Sequence, residues 1–256
     1  NPFVLYLTGM ARPTGSATLY VAKGNPGAAM PYTNWSMAAA DIQLAIDFSL
    51  AGDTILVSNG VYDAGGRANF PPGSALTNRV AIHKPVAVRS VNGPEFTSIK
   101  GAWHSSTTNG NTAIRCVYMT NGATLAGVTL TNGATRQESG DGGYGGGVWC
   151  PTTNAAVSNC WIFGNLAGSG GGAFRGTLYN CELSGNVHHG AMQSVLYNCT
   201  LSKNSGYDGG GAAECYLYNC ALSQNTAETV GGGATGCELY NCSLLFNMAA
   251  IYGGGA

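Results

Sequence analysis

The chain has 256 residues, enough to bury a large core, and its length alone allows one or two domains. Eleven Lys and Arg against twelve Asp and Glu leave a net charge of −1. That excludes the basic stripe nucleic-acid binding requires, and electrostatic capture by an anionic membrane. Only 9% of residues are charged while 45% are apolar, the reverse of a disordered composition.

In chain order, residues 1–16 form an apolar N-terminal extension opening on the β-prone run "NPFVLYLTG". The first residue is Asn1 and no basic leader precedes the run, which reads as an exported, mature product. No apolar run approaches the length of a membrane span. Residues 36–51 are predicted to form one amphipathic helix. Ser36 is its expected N-cap and Gly52 its expected C-cap glycine, with Ile42, Ala45, Ile46 and Leu50 on one face. "TILVSNGVY" (54–62) follows as a strand and turn, with further strands expected at 80–90, 98–102, 113–119 and 125–130. Regular coils are expected over 147–256. Residues 17–256 are therefore read as one domain.

An internal repeat dominates that last region. The tetrapeptide "LYNC" recurs at 178–181, 196–199, 217–220 and 239–242. Aligned on cysteine, the repeats place Cys160, Cys181, Cys199, Cys220 and Cys242 at spacings of 21, 18, 21 and 22. Asparagine precedes each cysteine, Ile or Leu stands two residues after it, and a second asparagine five residues after it. Alanine stands eight residues before four of these cysteines, mostly closing a "GGGA". From alanine to second asparagine the count is fixed at thirteen, and all length variation falls between that asparagine and the next alanine. A rigid segment joined by a variable loop is the pattern of stacked coils.

With its 18–22-residue period, short alternating runs and helical opening, the sequence resembles the right-handed parallel β-helix proteins of the pectate-lyase-like superfamily, of the secreted bacterial type. The resemblance implies an all-β solenoid of roughly eight or nine coils, plugged at its N-terminal end by the helix. A leucine-rich repeat of similar period is not met, because only one leucine pair recurs per rung.

Within one coil, "LYNC-x-L" reads as two strands joined by a corner: Leu inward, Tyr outward, Asn in the bend, Cys inward and Leu inward. Asn tolerates the left-handed corner and its amide can bond locally. Two asparagine ladders are expected, one through Asn159, Asn180, Asn198, Asn219 and Asn241, the other through Asn165, Asn186, Asn204, Asn225 and Asn247. Cys181, Cys199, Cys220 and Cys242 are read as a reduced, inward stack. If one disulfide forms, Cys215–Cys237 is the best-placed pair. No metal site is expected, since the cysteines lie in rows and no histidine is placed to join them. No cofactor is implied. The glycine triplets serve either left-handed turns or the close approach of another backbone or a glycan chain. "GDGGYGGG" (140–147) is not a phosphate loop, lacking Lys-Ser/Thr and a following helix.

Tyr179, Tyr197, Tyr218 and Tyr240 should form a continuous exposed strip, either stabilising the stack or meeting a glycan or another subunit. The resemblance brings polysaccharide lyases and hydrolases into view, whose chemistry needs clustered charge. The carboxylates here are scattered, and the catalytic candidates are Asp208 and Glu228, which could approach through their loops. His188 and His189 are read as surface residues. The leading expectation is an extracellular or cell-surface structural protein that self-associates, as in a fibre or surface-layer subunit. The run 1–9 would complete the open coil of a neighbour, since "IYGGGA" ends mid-coil. Alternatives are a glycan-binding adhesin module and a polysaccharide lyase or hydrolase.

Overall fold

The computed structural model describes residues 15–136 and 140–256. The run 1–9 lies outside them.

The alternation read from the sequence becomes three long sheets wound around one core. A nine-stranded sheet runs from Thr18–Val21 through Thr177–Tyr179, Val195–Tyr197 and Tyr216–Tyr218 to Glu238–Tyr240. An eight-stranded sheet runs from Gly60–Tyr62 to Ser243–Leu245, and a seven-stranded sheet from Thr77–Ile82 to Ala234–Thr235. A short three-stranded sheet adds a fourth side to the last coils. Strands pair parallel and in register, so Leu178 sits on Leu196, Leu196 on Leu217 and Leu217 on Leu239. This is a right-handed parallel β-helix. Nine layers at about 4.8 Å each make a rod roughly 40 Å long.

The core is one stack of inward side chains, with Leu178, Leu183, Leu196, Leu201 and Leu217 all fully buried. Each contributes about 1.5–3 kcal/mol relative to exposure. Cysteines alternate with them: seven of the nine are buried, Cys237 and Cys242 are half-buried, and all nine are free thiols. Burial pushes the thiols of Cys116 and Cys150 up to about 12, so they pack as small apolar groups. Cys215 and Cys237 stand in successive coils, yet the contact between them is a hydrogen bond, the Cys215 N–H donating to Cys237 Sγ at 3.3 Å.

The capping helix is shorter than the sequence suggested. It spans Ile42–Phe48, and its N-cap is Asp41, whose side chain accepts from Leu44 N. Ser36 instead donates to Asn34 Oδ1 at 2.7 Å. The reason is competition from a sheet edge: Ala39 bonds the backbone of Tyr20 and Ala22, so this segment lies along the first strand. Helix and segment together cover the upper end of the core, blunting an edge that would otherwise pair freely. The helix stops at Ser49, leaving Leu50 half exposed instead of on the buried face. Gly52 serves a turn at φ +86°, not a helix end. Two expected strands also divide: 80–90 into Thr77–Ile82 and Ala87–Ser90, and 125–130 into Thr124–Ala126 and Thr129–Thr131. Gly127, at φ +67°, makes the second of these corners.

The glycine triplets serve the turn, and the backbone that approaches them is the next coil of the same chain. The first glycine, such as Gly170 at φ +62°, turns the chain in the left-handed region. The third approaches its neighbour coil too closely for a side chain: a Cβ on Gly211 would lie 2.4 Å from Gly233 O.

Candidate functional site

The tyrosine strip forms as expected. Successive Thr/Val/Tyr/Glu-x-Tyr strands turn every second side chain outward, and strict register puts one ring directly over the next. The rings of Tyr179, Tyr197, Tyr218 and Tyr240 stack with centroids 5.1, 4.9 and 4.8 Å apart and planes within 11° of parallel. Each pair adds about 0.5–1.5 kcal/mol. Because the faces are turned on one another, the strip presents ring edges and phenolic oxygens to solvent. Tyr240 O–H donates to Glu238 Oε2 at 2.6 Å, which raises the pKa of that phenol.

Beside the strip runs the first asparagine ladder. Asn159, Asn180, Asn198, Asn219 and Asn241 occupy the corner at φ between +51° and +54° and are exposed. Their amides bond coil to coil: Asn198 Nδ2 donates to Asn180 Oδ1 at 3.3 Å, Asn219 to Asn198 at 3.3 Å and Asn241 to Asn219 at 2.8 Å. Tyrosine edges and asparagine amides thus make one regular, nearly uncharged face with one repeat per coil.

The second ladder is internal. Asn165, Asn186, Asn204 and Asn225 are fully buried. Asn204 Nδ2 donates to Leu183 O and to Asn225 Oδ1, each at 3.0 Å, while its Oδ1 accepts from Asn186 N at 2.9 Å and Asn186 Nδ2 at 3.0 Å. Every amide atom is engaged, so this ladder holds the stack and offers nothing to a ligand.

The two carboxylates singled out from the sequence have different neighbours. Asp208 faces His189, with Oδ1 3.4 Å from Nε2. Glu228 lines a shallow groove with His188, Ser205, Tyr207 and Thr226. No hydrogen bond or ion pair links the two carboxylates among the described residues. The reading of both histidines as surface residues holds only for His188. His189 is 5% exposed, because its loop is three residues shorter than the next and draws the ring under Gly206. Gly170 N donates to His189 Nδ1, placing the imidazole proton on Nε2 toward Asp208. Burial lowers the pKa of the ring, and the carboxylate only partly offsets it.

Two arginines escaped sequence reasoning. Arg115 is fully buried, donating to Gly145 O at 2.9 Å, Asn78 Oδ1 at 2.9 Å and Tyr144 O at 2.7 Å, and so pins the glycine-rich loop. Arg79 is 8% exposed near the N-terminal end. The available signal was an arginine inside an apolar strand, in "NRVAI" and "IRCVYM". Among the described residues, no group of three His, Cys, Asp or Glu side chains is placed to hold a metal, and no helix is long and apolar enough to cross a membrane.

No protein-family model matches the chain, and no curated protein does. Among solved structures it is similar to pectate lyase Pel9A, at a TM-score of 0.53 and 14% identity. That match covers 82% of this chain but 55% of the lyase, so the chain spans about half its length. A rice weevil pectin methyl esterase aligns over 93% of this chain and 92% of its own, at a TM-score of 0.49 and 11% identity. The likeness to the lyase is one of fold: a parallel β-helix.

Proposed function

We propose that this chain is an extracellular structural β-helix that self-associates end to end. The observation that carries the reading is the half-buried apolar edge of the last described coil. The upper end is covered by the helix Ile42–Phe48 and the segment before it. The lower layer, residues 234–256, pairs upward only among the described residues. Its core positions Leu239, Cys242 and Leu244 are half-buried, where the same positions one coil higher are buried. Unpaired edges over apolar side chains are templates for another strand. The occupant in this reading is the run Asn1–Gly9 of a second copy, which can reach about 30 Å when extended. Such a contact is heterologous and does not close, so it propagates as a filament.

Sedimentation velocity and negative-stain imaging test it. Assembly is expected for the intact chain, with loss on deleting residues 1–9 or on Leu244→Lys. Unchanged assembly after the deletion sinks strand donation. An intact chain that stays monomeric at high concentration sinks self-association and leaves the edge to further coils of a longer chain.

A second reading, a glycan-binding face, draws on the tyrosine–asparagine strip. A polymer whose units recur at the coil rise would find the same phenol and amide on every rung. The stacked rings limit it to edge contacts, since the faces that sugars stack on are covered. Retention on insoluble polysaccharides should then fall for Tyr197→Ala with Tyr218→Ala; retention equal to wild type removes this reading.

A further inference from the structure

We infer that the cavity beneath the capping helix is a binding site for a small hydroxylated carboxylate. The cavity measures about 390 Å³ and opens between the helix start, the end of the first strand and the loop 63–67. That is the size of a small-molecule site. Three cations and two carboxylates line it: Lys23, Arg67, Arg79, Asp41 and Asp63.

The cations are not equivalent. Lys23 pairs with Asp63 at 2.8 Å, and Arg67 pairs with Asp47. Arg79 is the most buried of the three and has no carboxylate partner among the described residues. Its Nε donates to Lys100 O at 2.8 Å and its Nη1 to Gly65 O, which fixes the guanidinium plane. Its Nη2 has no hydrogen-bond partner among the described residues. Two carbonyls satisfy hydrogen bonds but do not neutralise a charge, and Asp63, already held by Lys23, acts on the guanidinium only at a distance. A carboxylate entering the cavity would supply a direct ion pair, in the geometry a guanidinium binds best.

The flanking acids set the rest of the ligand. Asp41 uses Oδ1 to cap Leu44 N, and Asp63 uses Oδ1 for Lys23, which leaves each a second oxygen. Those oxygens repel a polyanion and accept from hydroxyl groups. One carboxylate with neighbouring hydroxyls matches both halves of the lining; a phosphate or a purely apolar acid matches only one.

Calorimetric titration with gluconate, with sorbitol as its uncharged counterpart and with inorganic phosphate tests this. Gluconate is expected to bind and sorbitol to bind at least about tenfold more weakly, the loss expected for one charge-assisted contact. Arg79→Met should weaken gluconate by about tenfold without changing sorbitol. Because Arg79 is buried, the half-exposed Asp63→Asn serves as a second variant. With the thermal midpoint retained, it should weaken gluconate and sorbitol alike. No gluconate binding, equal binding of gluconate and sorbitol, phosphate binding as tight as gluconate, or indifference to both variants would each overturn the assignment.

Discussion

The two asparagine ladders carry the same residue, at the same period, in the same five coils, yet they do different things. The outer ladder sits at a left-handed corner, exposed, the amides from Asn180 to Asn241 bonded one to the next at 2.8–3.3 Å. The inner ladder is buried, and each amide bonds backbone and side chains of the coils above and below. Backbone conformation decides between the two roles. A left-handed corner turns its side chain out of the coil, while the inner position turns it across the core. The outer asparagine is there for its tolerance of positive φ, the inner one for its four hydrogen-bonding valences.

The comparison breaks most visibly at the centre of the inner ladder. Asn204→Ala takes a partner from the Leu183 carbonyl and the Asn186 N–H and one bond from each of the facing Asn186 and Asn225 amides in a dry core. Its cost is expected at about 3 kcal/mol, read as a lower urea midpoint. A loss under about 1 kcal/mol would show that water enters the core and replaces the ladder.

Gly211→Ala comes next, because it strikes the same ladder from the side. The added Cβ would lie 2.4 Å from Gly233 O and 2.9 Å from Asn225 Nδ2, forcing two coils apart. About 2 kcal/mol is expected. Gly185→Ala in the same assay marks the contrast, since its Cβ meets nothing and only its φ of +59° is strained.

A smaller, pH-dependent effect comes from His189, whose loop abuts the inner side of the stack. Its folded pKa is depressed by burial below the ordinary 6.5. Below pH 6.5 the unfolded chain therefore binds a proton that the folded chain refuses. The stability linked to this group is full above that pH and falls as pH drops toward the folded value. The urea midpoint of the wild type should fall between pH 7 and pH 5, and His189→Gln should flatten that slope. A slope unchanged by the substitution assigns the acid sensitivity to other groups.

Much of this was legible in the sequence, for a physical reason. Period-two alternation names the face of every strand residue, so Leu178, Tyr179 and Cys181 were placed correctly from "LYNC" alone, and strict repetition fixed the register. What alternation does not name is the facing of a residue at or beyond a corner, where turn geometry takes over. The two ladders therefore looked equivalent, and His189 looked exposed. The helix was overextended because Ala38 to Ala40 suit a helix locally, while a sheet edge needing cover draws them into extended pairing. The Arg79 cavity was invisible for a further reason: Lys23, Asp41, Asp63 and Arg79 are far apart in the chain and meet only through coil stacking.

The smallest expected effect is also the sharpest test of the outer ladder. Asn198 sits at φ +54°, is exposed, and bonds Asn180 and Asn219 through its amide. Asn198→Ala loses both bonds and puts a Cβ without local compensation into the left-handed region, costing about 1 kcal/mol. Asn198→Gly loses the same two bonds but relieves the strain, since glycine adopts positive φ freely. If the outer asparagines are present for their backbone, glycine should cost only a few tenths of a kcal/mol, well below alanine. If glycine and alanine cost the same, the amide chain itself holds the coils, and the outer ladder differs from the inner one only in degree. Exposed amide bonds exchange readily with water, so the unequal outcome is the one the geometry predicts.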